Sequence, residues 1–319
     1  MVELGPRVAR LRAPNPSPMT LDGTNGYVVD GGGGAWIAID PGPDDPAHVA
    51  AFVDAARAAG ARYDAILVTH GHPDHYPGAA PLARATGAPV YAHTAATIPD
   101  DRTLADGERI VAGGAVLTAL DTPGHARDHL VYVLEGERAL FTGDVIIGVG
   151  TVVIAPPNGD MRAYQRTLHR LRDEYADASV IYGGHGPEMP DARAKIDEYI
   201  AHRERREAEI IAALAAGPAT IPDMVATIYR DVDRRLWPAA ARQILAYLIA
   251  LEREGRVSAT TRDGELTPDE RALLDPDLSV IVSERNAAVV RAELGYGAAP
   301  PRLVDYALRG NGVPVRPAQ

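Results

Sequence analysis

Short apolar runs broken by turn residues fill the first part of the chain. Residues 7–11, 27–30 and 35–40 have the length and the flanking glycines and prolines of short strands. Residues 46–60 are alanine-rich, carry Phe52 and Val53 at helical spacing, and end on glycine, which predicts a helix. A buried strand is expected over 63–69, a short helix over 81–87 and a strand over 90–93. A strand meander is expected over 110–121, 130–135 and 139–142. Helical period over 161–175 and a last strand at 179–182 complete the pattern. Strands interleaved with helices predict an α/β fold, a layered domain over residues 1–190.

The pattern changes near Asp191. A long charged helix runs from there to about residue 211, followed by helices over 221–229 and 238–254, with Pro238 suited to a first helical turn. The stretch GRVSATTRDGELT follows, and its Asp263-Gly264 pair is a hairpin-turn signal. Three helices and a small hairpin describe a winged-helix-like domain over residues 191–267. Residues 268–319 form a C-terminal extension. It has amphipathic patterns over 283–294 and 301–308 and a Pro/Gly-rich tail that is expected to be loose.

Composition narrows the chemistry. The net charge of the 319 residues is −11, so no general attraction to nucleic acid or anionic membrane is expected. There is no cysteine, which excludes disulfides, thiolate metal sites and a cysteine nucleophile. No signal-peptide core and no apolar run of about 18 residues is present, so the expectation is a soluble cytoplasmic protein without a spanning helix. A homodimer is compatible with the chain.

The chemistry concentrates in ILVTHGHPDHYPGA. Three of the ten histidines and an aspartate fall within six residues, directly after an apolar strand. His70 and His72 share one side of extended backbone, and Asp74 and His75 follow the bend at Pro73. Imidazole and carboxylate suit zinc, manganese or iron. Further ligands must come from other strand ends, and His125 in TPGHARDH, Asp144 in FTGDV and His185 in YGGHG each follow a predicted strand beside a glycine.

HGHPDH, then GH, GD and GH in this order resemble the metallo-β-lactamase fold hydrolases, whose fold is an αββα sandwich with a two-metal site at one edge. The resemblance implies that His70, His72 and His125 bind one metal, that Asp74, His75 and His185 bind the second, and that Asp144 bridges them. Asp40, in AIDPG, matches an aspartate that supports the site. The implied cofactors are two Zn2+, with Mn2+ or Fe also compatible, and the implied chemistry is attack by a metal-bridging hydroxide. PNPSPMTLDGTNGYVV, GHARDH and the winged-helix-like part are similar to the β-lactamase-like protein 2 branch, some of whose members cleave single-stranded RNA. Glyoxalase-II-type thioesterases share all seven ligands. The expected function is therefore zinc-dependent hydrolysis of a small acyl ester, a thioester or lactone. A metal-dependent endoribonuclease, a metal-domain DNA-binding regulator and a mono-iron dioxygenase are the alternatives. RNA is disfavoured by the net charge.

Asp74 and His129 are the candidate catalytic groups. His129 is read either as a proton donor to the leaving group or phosphate contact, or as a hydrogen-bonded strand residue. His93 reads as a satisfied strand-end residue, and His169 as ordinary. His48 and His202 are placed on helical polar faces without a role. Arg162, Arg166 and Arg170 share a helix face, which is read as solvated rather than as an anion-binding stripe. Residues 195–256 carry ten basic and ten acidic side chains, which argues against a phosphate-binding face. Helix 238–254 is instead expected to pack on the catalytic domain and wall the cleft, with Trp237 as an anchor or as part of the substrate path.

Overall fold

The computed structural model describes residues 1–278, 287, 288, 291, 292, 294–297 and 301–309. Seven strands form the first sheet: β1 (Val2–Glu3), β2 (Val8–Arg12), β3 (Asn25–Asp30), β4 (Ala35–Ile39), β5 (Arg62–Leu67), β6 (Val90–His93) and β7 (Arg102–Leu104). They lie in chain order, antiparallel up to β4 and parallel from β4 onward. Helices α1 (Pro46–Ala59) and α2 (Ala79–Thr86) are inserted around β5. The second sheet holds β8 (Arg109–Ala112), β9 (Ala115–Asp121), β10 (Leu130–Leu134), β11 (Ala139–Gly143) and β12 (Val180–Gly183), in the order β12-β11-β10-β9-β8. Helix α3 (Met161–Tyr175) makes the crossover to the parallel β12. The single run expected over 110–121 is two strands, because Gly113, at φ 55°, turns the chain back.

Side-chain alternation builds the layers. In β4, Ala35, Ile37 and Ile39 pack between the sheets, while Trp36 and Ala38 pack under α1 and α2. In β10, Leu130, Tyr132 and Leu134 join the inter-sheet core, and Val131 and Val133 face α3. Every residue of both strands is buried. α1 starts where Asp45 accepts from the His48 amide and ends at Gly60 in the left-handed region.

The C-terminal part adds α4 (Ala192–Ala215), α5 (Ile221–Ile228), α6 (Trp237–Arg253), β13 (Val257–Thr261), α7 (Pro268–Leu274) and β14 (Val304–Leu308). Ile196 and Tyr199 of α4 and Ile244, Tyr247 and Leu248 of α6 share one apolar cluster with α3. α6 begins at Trp237, one residue before the expected Pro238.

The hairpin expected at Asp263-Gly264 does not form. β13 pairs with β14 instead, about forty positions further on (Thr261↔Val304). The chain after Gly264 enters the Thr267–Glu270 capping box of α7. The competing partner strand buries Tyr306 and packs Val304 against the core. The pattern expected over 283–294 lies largely outside the described residues, as does the tail after residue 309. Among the described residues no helix is long and apolar enough to cross a membrane.

Candidate metal centre

Four strand ends and the start of a fifth strand meet at one edge of the sandwich. β5 runs on into His70, β9 into His125, β11 into Asp144 and β12 into His185. Asn25, at the start of β3, stitches the two sheets there. Its Nδ2 donates to the carbonyls of Gly183 (3.0 Å) and Gly186 (2.8 Å), and its backbone NH donates to Gly184 (2.7 Å). The loop after β5 is held by turn bonds from the His75 and Tyr76 amides to the His72 carbonyl, and α2 begins only at Ala79.

The seven sequence-predicted ligands gather into two groups that could each hold a metal ion: His70, His72, His125 and Asp144, and Asp74, His75 and His185. Within each group the ligand atoms lie within 4.8 Å of one another. His125 Nε2 is 3.0 Å from His72 Nδ1. In the second group, Asp74 Oδ2 is 3.4 Å from His75 Nε2 and 3.3 Å from His185 Nε2. Two ligands about 2.1 Å from a tetrahedral zinc ion stand ~3.4 Å apart, so these separations are close to the edge lengths a cation needs. His70 Nε2, His75 Nε2 and Asp144 Oδ1 are buried without a hydrogen-bond partner, an arrangement that costs energy unless a cation takes those lone pairs. Asp144 divides its oxygens between the groups. Oδ1 lies 3.5 Å from His75 Nε2 and 3.4 Å from His185 Nε2, and Oδ2 lies 3.7 Å from His125 Nε2. The residues fit a pair of divalent cations.

The far nitrogen of each of four imidazoles is engaged, which fixes the tautomer and aims the other nitrogen inward. His125 Nδ1 donates to the Val153 carbonyl (2.9 Å), and His185 Nδ1 to that of Gly23 (3.4 Å). His70 Nδ1 donates to Thr69 Oγ1 (2.9 Å), which donates to Asp40 Oδ2 (2.7 Å). The same Oδ2 accepts from His75 Nδ1 (2.8 Å), and Oδ1 accepts the Thr69 amide (2.7 Å). Asp40 thus orients one histidine of each group, and it does so from a left-handed backbone at φ 47°. Asp40→Asn is expected to weaken metal affinity by about 10–100-fold. Competition with a chromophoric chelator measures it, and unchanged affinity would remove Asp40 from this role.

Residues outside the predicted set complete the frame. Thr24 Oγ1 donates to Asp74 Oδ2 (2.9 Å) and accepts from Asn15 Nδ2 (3.0 Å). Both lie in the PNPSPMTLDGTNGYVV stretch, whose polar residues carry no chemistry until Asp74 is placed beside them. Gly184 is glycine because a Cβ there would sit 2.5 Å from Asp144 Oδ1.

His129 is placed differently from the expected proton donor. It is fully buried, its Nδ1 donates to Thr122 Oγ1 (3.1 Å), and its Nε2 accepts the Asp144 amide (3.1 Å). Its ring stacks on His70 at 4.7 Å. Both its nitrogens are engaged, it braces the Asp144 backbone and the His70 ring, and it is not among the residues lining the cleft. His48 is likewise not on a polar face. It is buried edge-on against Phe52, because the face of α1 carrying Val49 and Phe52 turns inward. His202 is half-buried and lines the cleft. His93 is a satisfied strand-end residue, its Nδ1 accepting the Ala95 amide (2.9 Å). Arg162 pairs with Glu207 and Glu254, and Arg170 with Asp106 and Glu174. None of the three stripe arginines lines the cleft. Trp237 donates to the carbonyls of Tyr229 and Val232 (3.1 Å each) and anchors the C-terminal part without lining the cleft.

Burial and mutual repulsion hold His70 and His72 below the usual imidazole range, His72 at about 3. Burial also lowers His125. For His75 and His185 burial acts the same way but is outweighed by carboxylates. Asp74, Asp144 and Asp40 raise His75 to about 9, and Asp144 and Asp74 hold His185 well above its ordinary value. In protein stripped of metal, a cation entering the first group therefore meets neutral imidazoles, whereas one entering the second must displace protons. The affinity of the second group is expected to rise about tenfold per pH unit for each proton released, up to the raised pKa values. The first group is expected to be indifferent between about pH 6 and 8. Metal stoichiometry against a fixed chelator at the two pH values tests this, and equal stoichiometry would contradict it.

The centre opens into a cleft of about 570 Å³ with mostly apolar walls. One wall is the loop after β11, and the C-terminal helices clamp it. Tyr199 Oη bonds both the amide (3.0 Å) and carbonyl (3.3 Å) of Ile147, Arg203 Nη2 donates to the Val152 carbonyl (2.8 Å), and Gln243 Oε1 accepts the Ile154 amide (3.2 Å). Val153, which orients His125, sits inside this clamped stretch. Ala239, Ala240 and Gln243 of α6 also face the cleft, so α6 packs on the catalytic part and walls the site as its apolar pattern predicted.

Residues 19–185 match the metallo-beta-lactamase superfamily, and residues 220–264 match the beta-lactamase associated winged helix domain. A beta-lactamase-like protein 2 homolog of Drosophila melanogaster is 34% identical over 271 residues, 78% of this chain and 89% of the relative. An atrochrysone carboxyl ACP thioesterase of Aspergillus chevalieri is 32% identical, over 79% of this chain and 85% of its own. Among solved structures, a metallo-beta-lactamase family protein from Thermus thermophilus superposes with a TM-score of 0.68 at 25% identity, over 81% of this chain and 97% of that one. A beta-lactamase domain protein from Burkholderia ambifaria shares the fold, with a TM-score of 0.70 at 21% identity over 82% of this chain and 90% of that one.

Proposed function

Because the chain belongs to the metallo-beta-lactamase superfamily of hydrolases and carries its associated winged helix domain, we propose that it is a dinuclear metal hydrolase cleaving a small acyl ester, most specifically a thioester or lactone. The observation that carries this reading is the division of the Asp144 carboxylate between the two ligand groups. His70, His72 and His125 would hold one cation and Asp74, His75 and His185 the other, with Asp144 available to both groups. Zinc is the metal the N/O donor set favours. When bound, such cations would supply a hydroxide nucleophile at neutral pH and Lewis acidity toward the acyl oxygen.

The chain's own contribution is geometric. Asp40, Thr69 and His129 fix the ligands before substrate arrives. Asp74, which lines the cleft with one oxygen held by Thr24, orients the attacking water. Val149, Val152 and Val153 give an acyl chain an apolar wall and exclude bulk water. Residues 1–190 are assigned to catalysis, residues 191–267 to walling the cleft, and residues 268–319 to an extension. The thioesterase name of one relative favours a thioester within this class.

Thiol release from a panel of acyl-thioesters by zinc-loaded protein tests the reading, and the absence of cysteine removes any thiol background. Turnover is expected. Protein shown to hold two metals that releases no thiol and opens no lactone would sink it.

A further inference from the structure

The wall of the cleft supplied by α4 and the end of α5 has a character of its own. His202, Arg206 and Tyr229 line it. Outside the metal-ligand cluster, Arg206 is the only formally charged side chain lining the cleft among the described residues, and its carboxylate partner Glu209 is not part of that lining. It is held in place rather than loose. Its guanidinium lies 4.6 Å over the Tyr229 ring, and Nη1 donates to Glu209 (2.7 Å) and to the Ile228 carbonyl (3.2 Å). Arg206 Nε and His202 Nδ1 are buried without a hydrogen-bond partner. Burial, then repulsion from Arg203, Arg206 and Arg205, holds His202 at about 4, so the imidazole is neutral at pH 7 and adds no charge beside the Arg206–Glu209 pair. A pre-positioned cation in an otherwise apolar cleft selects an anionic ligand group. With Nη1 spent on Glu209 and the Ile228 carbonyl, one guanidinium edge remains for a single anionic group, and the Glu209 charge disfavours a dianion, so a carboxylate fits better than a dianionic phosphate.

We propose that this wall is a subsite for a carboxylate borne on the acyl chain, so that the preferred substrates are ω-carboxyacyl esters bound between the metal centre and Arg206. The inference rests on the hydrolase reading above and names its substrate class.

Calorimetry on zinc-loaded, full-length protein separates the two. Dicarboxylic acids from glutarate to suberate are compared with monocarboxylic acids of equal length, in wild type, Arg206→Met and Arg206→Lys. At one chain length the dicarboxylate is expected to bind tighter by on the order of tenfold to a hundredfold, the scale of one charge-assisted hydrogen bond. The ratio is expected to collapse toward one in Arg206→Met and to return in part in Arg206→Lys. Equal affinities in wild type, a preference that survives Arg206→Met, or tighter binding of a phosphate-ended acid would each overturn the proposal. A second arm measures kcat/KM for adipyl against hexanoyl thioesters. No turnover of either and no opening of a lactone, with the dicarboxylate preference intact, overturns the hydrolase reading and leaves the subsite standing. Turnover of both with no discrimination overturns the subsite alone.

Discussion

Asp144→Ala is expected to abolish hydrolysis, with a loss of at least about a thousandfold. The Asp144 carboxylate divides between the two ligand groups, one oxygen toward His75 and His185 and the other toward His125. Its removal would take a ligand from each cation of the proposed pair and one negative charge that would balance them. The electrostatic stabilisation a metal centre supplies is several kcal/mol, and each ~1.4 kcal/mol is a factor of ten. Metal analysis should fall from two equivalents toward one or none. The histidines should retain their places, because their outer nitrogens are anchored by Thr69, Val153, Asp40 and Gly23 rather than by Asp144. A variant that keeps two metals and near-normal thiol release would remove the bridge from the mechanism. Asp144→Asn, which preserves shape but not charge, is expected to keep more metal than the alanine variant and still to lose most activity.

The second large effect concerns stability. Arg203 of α4 is the bulkiest fully buried side chain, 1% exposed, and no carboxylate pairs with it among the described residues. Its charge is met by the Val152 carbonyl and by the face of Tyr164 at 4.9 Å, while Nε and Nη1 have no partner. Arg203→Ala opens a cavity between α3, α4 and α6 and should cost about 3–5 kcal/mol, as for other large buried side chains. Arg203→Met refills that volume and no longer buries a charge, so its stability should lie within about 1–1.5 kcal/mol of wild type. Both variants remove the donor from Val152, next to the carbonyl that orients His125. Both should therefore lose affinity for the first cation, although only one is strongly destabilised. Urea denaturation and chelator competition on the pair separate packing from positioning. A methionine variant as unstable as the alanine variant would show that the guanidinium itself stabilises the fold.

The seven candidate ligands were legible because each follows an apolar strand, and a strand end that must turn sharply at glycine leaves a recognisable run of residues. The roles of His129 and His202 were not. A histidine four positions after a ligand could equally meet substrate or brace the site. Only the positions of Thr122 and the Asp144 amide show that both its nitrogens are used. His202 read as one more polar position on a charged helix. It lines the cleft because α4 packs on α3 and lays that face beside the loop after β11.

The C-terminal strand pairing divides the same way. Asp263-Gly264 is a sound local turn signal, yet β13 takes a partner from residues 304–308. Local propensity sets which segments can be strands, and burial of Tyr306 decides which two meet. By itself the sequence indicated most of the order of elements, which depends on periodicity over a few residues, and the candidate metal-ligating residues, whose full set the family resemblance supplied. Only the tertiary structure decided which oxygen of Asp144 faces which group, that Asp40 serves both, and that the C-terminal helices clamp the loop holding His125. Those depend on contacts between segments far apart in the chain, and no local pattern encodes them.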